Sequence, residues 1–118
     1  MVNRNSITLG PSSLTIRPRG LDRFWSLRKH LEVPYKLIRG TSVEDHPRTL
    51  GLTHRLGLDL GTKRSGSFFP PTKRLFVNTS GKGKILCLEL DPSFEFTEVL
   101  LSIDSPEEWS KRILSRTT

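Results

Sequence analysis

Hydrophobic and polar residues alternate along much of the chain, and this alternation predicts short β-strands. Leu14 and Ile16 alternate with polar residues in SSLTIR, and Leu31 and Val33 do so in HLEV. A period of two places one set of side chains against a core and the other set in solvent. Both segments are therefore predicted strands. Each is followed or ended by a proline, which interrupts a ladder of backbone hydrogen bonds.

Two longer apolar runs, KILCLEL and TEVLLSI, follow one another in the last third of the chain. A turn that begins with Asp91-Pro92 separates them. Two strands of matched length with matching apolar faces are what an antiparallel pair needs to cover one core. The residues of that shared face are Leu86, Leu88, Leu90, Val99, Leu101 and Ile103.

The remaining elements are shorter. YKLIRG predicts a single helical turn that leads into a strand, GTSVED. SGSFF and RLFVNT are strand candidates, and the glycine-containing turn SGKGK predicts a hairpin between RLFVNT and KILCLEL. Residues 46–66 have glycines that break any regular period, so we expect a long structured loop with short strand pieces there.

A helix is predicted directly after the second long run. SPEE, beginning at Ser105, combines an N-cap serine, a proline at the first helical position and a glutamate at the third, which is a capping box. Trp109 and Ile113 are four residues apart and lie on one face. We expect a helix of two to three turns that frays after Leu114, with Trp109 as its structural anchor on the sheet, because isolated helices this short are marginal in water.

A chain of 118 residues is long enough for one domain with its own core. The elements predict a single mainly β domain over residues 12–114, preceded by a flexible segment over 1–11 and followed by a frayed terminus over 115–118. About seven short strands and one terminal helix are expected. Since exposed strand edges must be closed off or covered, a small barrel or bent sandwich with the helix over an open end is predicted.

The order of these pieces resembles bacterial pleckstrin-homology-like (PH-like) domains, most of which are uncharacterised. The similarity runs from SSLTIR through VPYKLIRG to TEVLLSIDSPEE, and Trp109 matches the tryptophan habit of the terminal helix in the wider fold. It implies a bent antiparallel β-barrel of about seven strands capped by a C-terminal α-helix. It also implies a binding or scaffold module, since that fold hosts lipid, peptide and protein binding without a shared site.

The net charge of +7 comes entirely from the first half of the chain. Residues 1–64 contain 12 Lys and Arg against 5 Asp and Glu, whereas residues 65–118 contain 7 of each. Such a field attracts phosphates and acidic surfaces, and it also suits a merely solvated surface. The candidate residues for binding an anionic partner are Arg17, Arg19, Arg23, Arg28, Lys29, Lys36 and Arg39.

Phosphoinositide-binding members of the wider fold place such cations on the first hairpin, but the spacing here departs from their pattern. We therefore expect an acidic partner in general: either the anionic surface of a membrane or an acidic protein. The expected location is the cytoplasm, with peripheral contact at the inner face of the membrane. No apolar run approaches the roughly 18 residues of a membrane span.

Motifs for catalysis or cofactor binding are not recognisable. His30, His46 and His54 lack the close spacing of metal ligands, and no phosphate-binding loop or nucleophile elbow is present. Cys87, the single cysteine, lies between two leucines, which favours an inert thiol. The sequence therefore predicts a protein that is not an enzyme and needs no cofactor or metal.

Two alternatives stay open. A sequence pI near 10.2 and basic residues interleaved with Phe24, Trp25 and Tyr35 fit a small basic β-barrel that binds nucleic acid, although aromatic residues in small β domains more often pack internally. A self-assembling structural protein is the other alternative, in which edge strands or the leucine-rich segment 50–60 associate between copies.

Overall fold

The computed structural model describes residues 5–18, 30–44, 54–59, 63–69, 73–80 and 84–117 of the chain; for 54–59, 63–69 and Ser80 it describes the backbone alone. Within these ranges the elements are β1 Asn5–Leu9, β2 Ser13–Pro18, β3 Leu31–Pro34, the 3₁₀ helix η1 Tyr35–Leu37, β4 Ile38–Glu44, β5 His54–Asp59, β6 Lys63–Phe69, β7 Leu75–Ser80, β8 Ile85–Leu90, β9 Glu98–Ser102 and the helix α1 Pro106–Thr117.

The strands form two sheets. The smaller has the antiparallel order β1-β2-β3, and the larger has the order β4-β8-β9-β7-β6-β5. Among the described strands, only the β7–β9 pair is parallel. The prediction of a mainly β fold with a C-terminal helix is confirmed. The sheets are not closed into a barrel: among the described residues no strand of one sheet pairs with a strand of the other.

One core lies between the sheets. The face of the large sheet that bears the predicted leucines, called the inner face below, packs against the small sheet and α1. Phe76 and Phe96 meet there with ring centroids 5.6 Å apart. The predicted shared face of β8 and β9 is thus confirmed. The other core residues are Ile7, Leu14, Ile16, Leu31, Val33, Tyr35, Ile38, Leu86, Leu88, Leu90, Val99, Leu101, Ile103 and Ile113.

The opposite face of the large sheet, the outer face, holds a second and smaller apolar cluster. It consists of Leu75, Val77, Ile85, Cys87 and Leu100, all buried. Strand β9 is therefore buried along its whole length, on both faces. A strand like this belongs in the middle of a sheet, where it has partners on both sides.

This position of β9 overturns one local prediction. The turn at SGKGK predicts that β7 and β8 form a hairpin, but β9 lies between them and pairs with both. Strand β8 runs antiparallel to β7, but β9 separates the two strands. A five-residue pattern cannot show that a later strand will take the position between the two.

The chain termini also differ from expectation. Residues 1–11 are predicted to be flexible, yet β1 forms at Asn5–Leu9 and pairs with β2 along its whole length. Its ladder and the burial of Asn5 and Ile7 hold it in place. At the other end, α1 continues to Thr117 instead of fraying after Leu114.

Helix α1 begins at Pro106, as the capping box predicts, and the Trp109 amide donates to the Ser105 carbonyl at 3.1 Å. Ser105 has a φ of 52°, in the left-handed region, whereas the N-cap of a capping box has an extended backbone. The start of the helix is therefore right, and the conformation of its cap differs from the expected one. Ile113 is fully buried in the core and Trp109 packs against it while half-buried.

The segment 46–66, expected to be a loop with short strand pieces, contains β5 and the start of β6. The two strands pair antiparallel from His54 opposite Phe69 to Asp59 opposite Arg64. The rest of that segment lies outside the described residues. These strands were not recognised in the sequence because closely spaced glycines interrupt the alternation of apolar and polar residues.

Candidate functional site

Three of the seven cations predicted to bind an anionic partner lie in the described residues. Arg17 is exposed on β2 opposite Ser6, Lys36 is exposed on η1, and Arg39 is exposed on β4. The other four, Arg19, Arg23, Arg28 and Lys29, lie outside the described residues. Arg17 and Lys36 make no ion pair with any described residue, so their charges face solvent.

Arg39 has a different environment. It is the extra residue of a register shift between Ile38 and Gly40, and its guanidinium is ion-paired with Asp91. The Asp91 amide in turn donates to the Leu37 carbonyl at 2.8 Å. Arg39 thus ties β4 to the β8–β9 connection, and its charge is already matched by a carboxylate.

Arg74 secures the same connection from the other side. Its guanidinium donates to the carbonyls of Pro92, Phe94 and Glu95 at 2.7, 2.9 and 3.1 Å, and its amide donates to the Thr97 hydroxyl at 3.0 Å. An arginine fork suits several carbonyl acceptors at once. The loop between β8 and β9 is therefore held at several points by two arginines, of which the sequence singled out Arg39 as a binding candidate and did not single out Arg74.

A cavity of about 510 Å³ lies on the outer face beside this loop. Glu98 lies on its wall, only 9% exposed, with Lys73 Nζ 2.7 Å from Oε1. The Cys87 thiol donates to the other carboxylate oxygen at 3.5 Å. Glu89 stands directly opposite Glu98 in the ladder, so two carboxylates are adjacent and Lys73 offsets one of them.

The cavity is open next to Gly40. A Cβ added at Gly40, which lies opposite Glu89, would meet no atom within 4 Å. The sequence prediction that Cys87 is inert fits its position, since the thiol is 5% exposed and engaged with Glu98. Sequence reasoning missed the cavity because its charged residues come from separate parts of the chain: Lys73 precedes β7, Glu89 lies on β8 and Glu98 begins β9. The pairing of β7 with β9, which brings Lys73 to Glu98, follows from no local pattern.

A second cavity, of about 570 Å³, lies where the β1–β2 turn meets η1, and Ser12, Ser13, Glu32 and Lys36 contribute to its lining. Tyr35 fixes this turn: its hydroxyl donates to the Gly10 carbonyl at 2.7 Å and its amide to the Ser12 carbonyl at 3.1 Å. Tyr35 is buried, so it is not placed as a stacking platform for bases. Phe24 and Trp25 lie outside the described residues.

Helix α1 adds cations that the sequence did not nominate. Lys111 and Arg116 are exposed and make no ion pair within the described residues. Arg112 lies over the Trp109 ring at 5.1 Å and 3.9 Å from Glu108, so it caps the half-buried tryptophan. Lys84 pairs with Glu107, and this hydrogen bond lowers the pKa of the Glu107 carboxyl below its ordinary value, with a smaller contribution from a backbone hydrogen bond.

Among the described residues, no group of three or more His, Cys, Asp or Glu side chains could hold a metal ion. The same residues contain no helix long and apolar enough to cross a membrane.

Comparison with known proteins found no match: no family model, no curated protein and no solved structure is significantly similar to this chain.

Proposed function

We propose that the protein is a non-catalytic binding module of the PH-like type, which engages an acidic partner through surface cations. The order of elements from β2 to α1 supports the PH-like assignment, together with a terminal helix whose tryptophan packs on the core. The two sheets are separate in the described part of the chain, and we interpret them as the bent-sandwich form of that architecture.

A contrast in the state of the cations carries the functional proposal. Among the described cations, Arg39, Lys73, Lys84 and Arg112 are each paired with a carboxylate. Arg17 and Lys36, from the basic first half, are exposed and make no such pair within the described residues. Unmatched surface charge is available to a partner, whereas a paired cation must first lose its own carboxylate.

The mechanism is multivalent electrostatic contact without bond chemistry. A basic residue near an anionic bilayer contributes about 1 kcal/mol, so a few of them give reversible binding. Because the contacts are exposed, salt screens them over roughly 10 Å at 0.1 M ionic strength.

The test is cosedimentation of the full chain with anionic and neutral vesicles, and retention on immobilised polyglutamate, each at low and high salt. We expect salt-sensitive binding to the anionic materials and none to neutral vesicles. The Arg17→Gln/Lys36→Gln variant should bind roughly 25-fold more weakly, at about five-fold per cation. The matched control, Lys73→Gln/Lys84→Gln, has the same net charge and should lose much less.

Equal loss in both double variants would contradict these sites, because it would show a dependence on net charge alone. Absence of binding to every anionic material would overturn the proposed function. A short DNA duplex added as competitor tests the nucleic-acid alternative: displacement from vesicles at low duplex concentration would favour it.

A further inference from the structure

The last two turns of α1 form an exposed surface that contains cations and no acid. Its side chains are Lys111, Arg112, Leu114, Ser115 and Arg116, all exposed, while Ile113 faces the core. We call this the helix surface. The helix is amphipathic in the ordinary sense, with its apolar side already docked, so what remains outward is available to a partner.

The acidic residues of α1 are confined to its first turn and are already engaged. Glu107 is paired with Lys84, and Glu108 lies near Arg112. Lys111 and Arg116 have no ion pair among the described residues. The charges of Lys111 and Arg116 on the helix surface are therefore not neutralised within the described residues, whereas Lys73 and Lys84 are each paired with a glutamate.

Leu114 distinguishes this surface from a purely electrostatic one. It is 42% exposed, more than any other large hydrophobic side chain in the described part of the chain. It lies three residues after Lys111 and so next to it on the helix. Cations beside an exposed leucine suit a lipid surface, where phosphates meet the charges and the leucine enters the boundary with the acyl chains.

The orientation of α1 brings its last turns toward η1, the element that carries Lys36. Lys84 contacts Glu107 at the start of the helix, and the Thr41 and Ser110 hydroxyls lie 2.5 Å apart at its middle. Because Glu44, the last residue of β4, pairs with Ile85 beside Lys84, the helix runs antiparallel to β4. Its last turns therefore approach the start of β4 and η1, against which the helix also packs.

We infer that the helix surface, extended by Lys36, is the face with which this protein contacts an anionic lipid bilayer. This inference rests on the proposed function and narrows its acidic partner to a membrane surface. An acidic protein or polyanion would use the cations alike, but it would have no use for Leu114.

The experiment measures partition of the full chain onto vesicles of equal parts phosphatidylcholine and phosphatidylglycerol, and in parallel onto immobilised polyglutamate. Lys111→Gln/Arg116→Gln should reduce vesicle affinity about 25-fold at low salt, at about five-fold per cation. Lys73→Gln/Lys84→Gln is again the control of equal net charge. Leu114→Ser should weaken vesicle binding several-fold at both salt concentrations and leave polyglutamate retention unchanged.

Circular dichroism melting of each variant checks that folding is intact. Lys84, Lys111, Leu114 and Arg116 are exposed, so their substitution should change the melting temperature little, whereas Lys73→Gln removes the cation paired with the buried Glu98 and should lower it. Vesicle binding by wild type that survives the Lys111→Gln/Arg116→Gln change would overturn the inference and leave the proposed function standing. Polyglutamate retention without vesicle binding would do the same and identify an acidic protein as partner. Failure to bind either material would overturn both.

Discussion

The two faces of the large sheet bury polar groups in different ways. On the inner face, the Asn5 side chain donates to the carbonyls of Asn78 and Ser102 at 3.0 and 2.9 Å, and the Asn78 amide donates back to Asn5 Oδ1 at 2.8 Å. On the outer face, the buried group is the carboxylate of Glu98, held by Lys73 and Cys87.

This difference indicates that the polar contacts of the inner face contribute more to specifying the fold than those of the outer face. The asparagine pair is neutral, buried and joins the first strand of the chain to two strands more than seventy residues later. Neutral amides are inexpensive to bury once they are hydrogen-bonded, whereas a buried carboxylate requires a partner charge. Glu98 meets this requirement beside an open cavity, where the Lys73 side chain is 48% exposed.

The largest expected contrast comes from adjacent residues of β8. Leu88 points to the inner face at 0% exposure and Cys87 to the outer face at 5%. Leu88→Ala should reduce the free energy of unfolding by about 3–4 kcal/mol, because it leaves a cavity in a close-packed core. Cys87→Ala removes one sulfur and should cost about 1 kcal/mol. Urea unfolding of both variants measures the difference, and equal losses would show that the two faces are packed alike.

A smaller effect is expected where the two sheets are joined. Asn5→Asp keeps the shape of the side chain but places carboxylate oxygen where a donor faced two carbonyls. We expect a loss of about 3 kcal/mol at neutral pH, and less at low pH, where a protonated carboxyl can donate again. Asn5→Ala is the control and should cost about 1–2 kcal/mol. If Asn5→Asp were no worse than Asn5→Ala, this amide would not be a donor in the folded protein.

The sequence predicted the local elements of the inner face because each has a clear period. Alternating leucines identified β2, β3, β8 and β9, and the antiparallel pairing of β8 with β9 followed from their matched faces. The helix start followed from local chemistry at Ser105 and Pro106. Such features depend on residues close together in the sequence: even Ile85 and Ser102, at one end of the β8–β9 ladder, are only 17 positions apart.

Features that depend on distant partners could not be predicted. The Asn5 pair involves residues 73 and 97 positions away, and Asn5 itself looks like an ordinary polar terminus. The insertion of β9 between β7 and β8, and the meeting of Lys73 with Glu98, depend on strand pairings that no short stretch of sequence specifies. Of the candidate site, the sequence identified charge at Arg17 and Lys36 but not the pairing of Arg39 with Asp91.

The smallest effect is expected for the Lys84–Glu107 pair, the exposed counterpart of the Lys73–Glu98 pair. Lys84 and Glu107 form the same kind of pair, but both side chains are about half exposed, and their hydrogen bond lowers the pKa of Glu107. A lowered pKa in the folded state stabilises the fold above the ordinary pKa of glutamate, and that contribution is lost as the pH falls through the folded value. Lys84→Gln should therefore raise the pKa of Glu107 toward its ordinary value in an NMR titration of its carboxyl. The fold should lose only slight stability near neutral pH, because exposed pairs contribute little.

An unchanged Glu107 titration would mean that the helix backbone, not Lys84, sets its acidity. A large loss of stability would mean that the exposed Lys84–Glu107 pair stabilises the fold as strongly as the buried Lys73–Glu98 pair does. Burial would then not explain the difference between the two pairs.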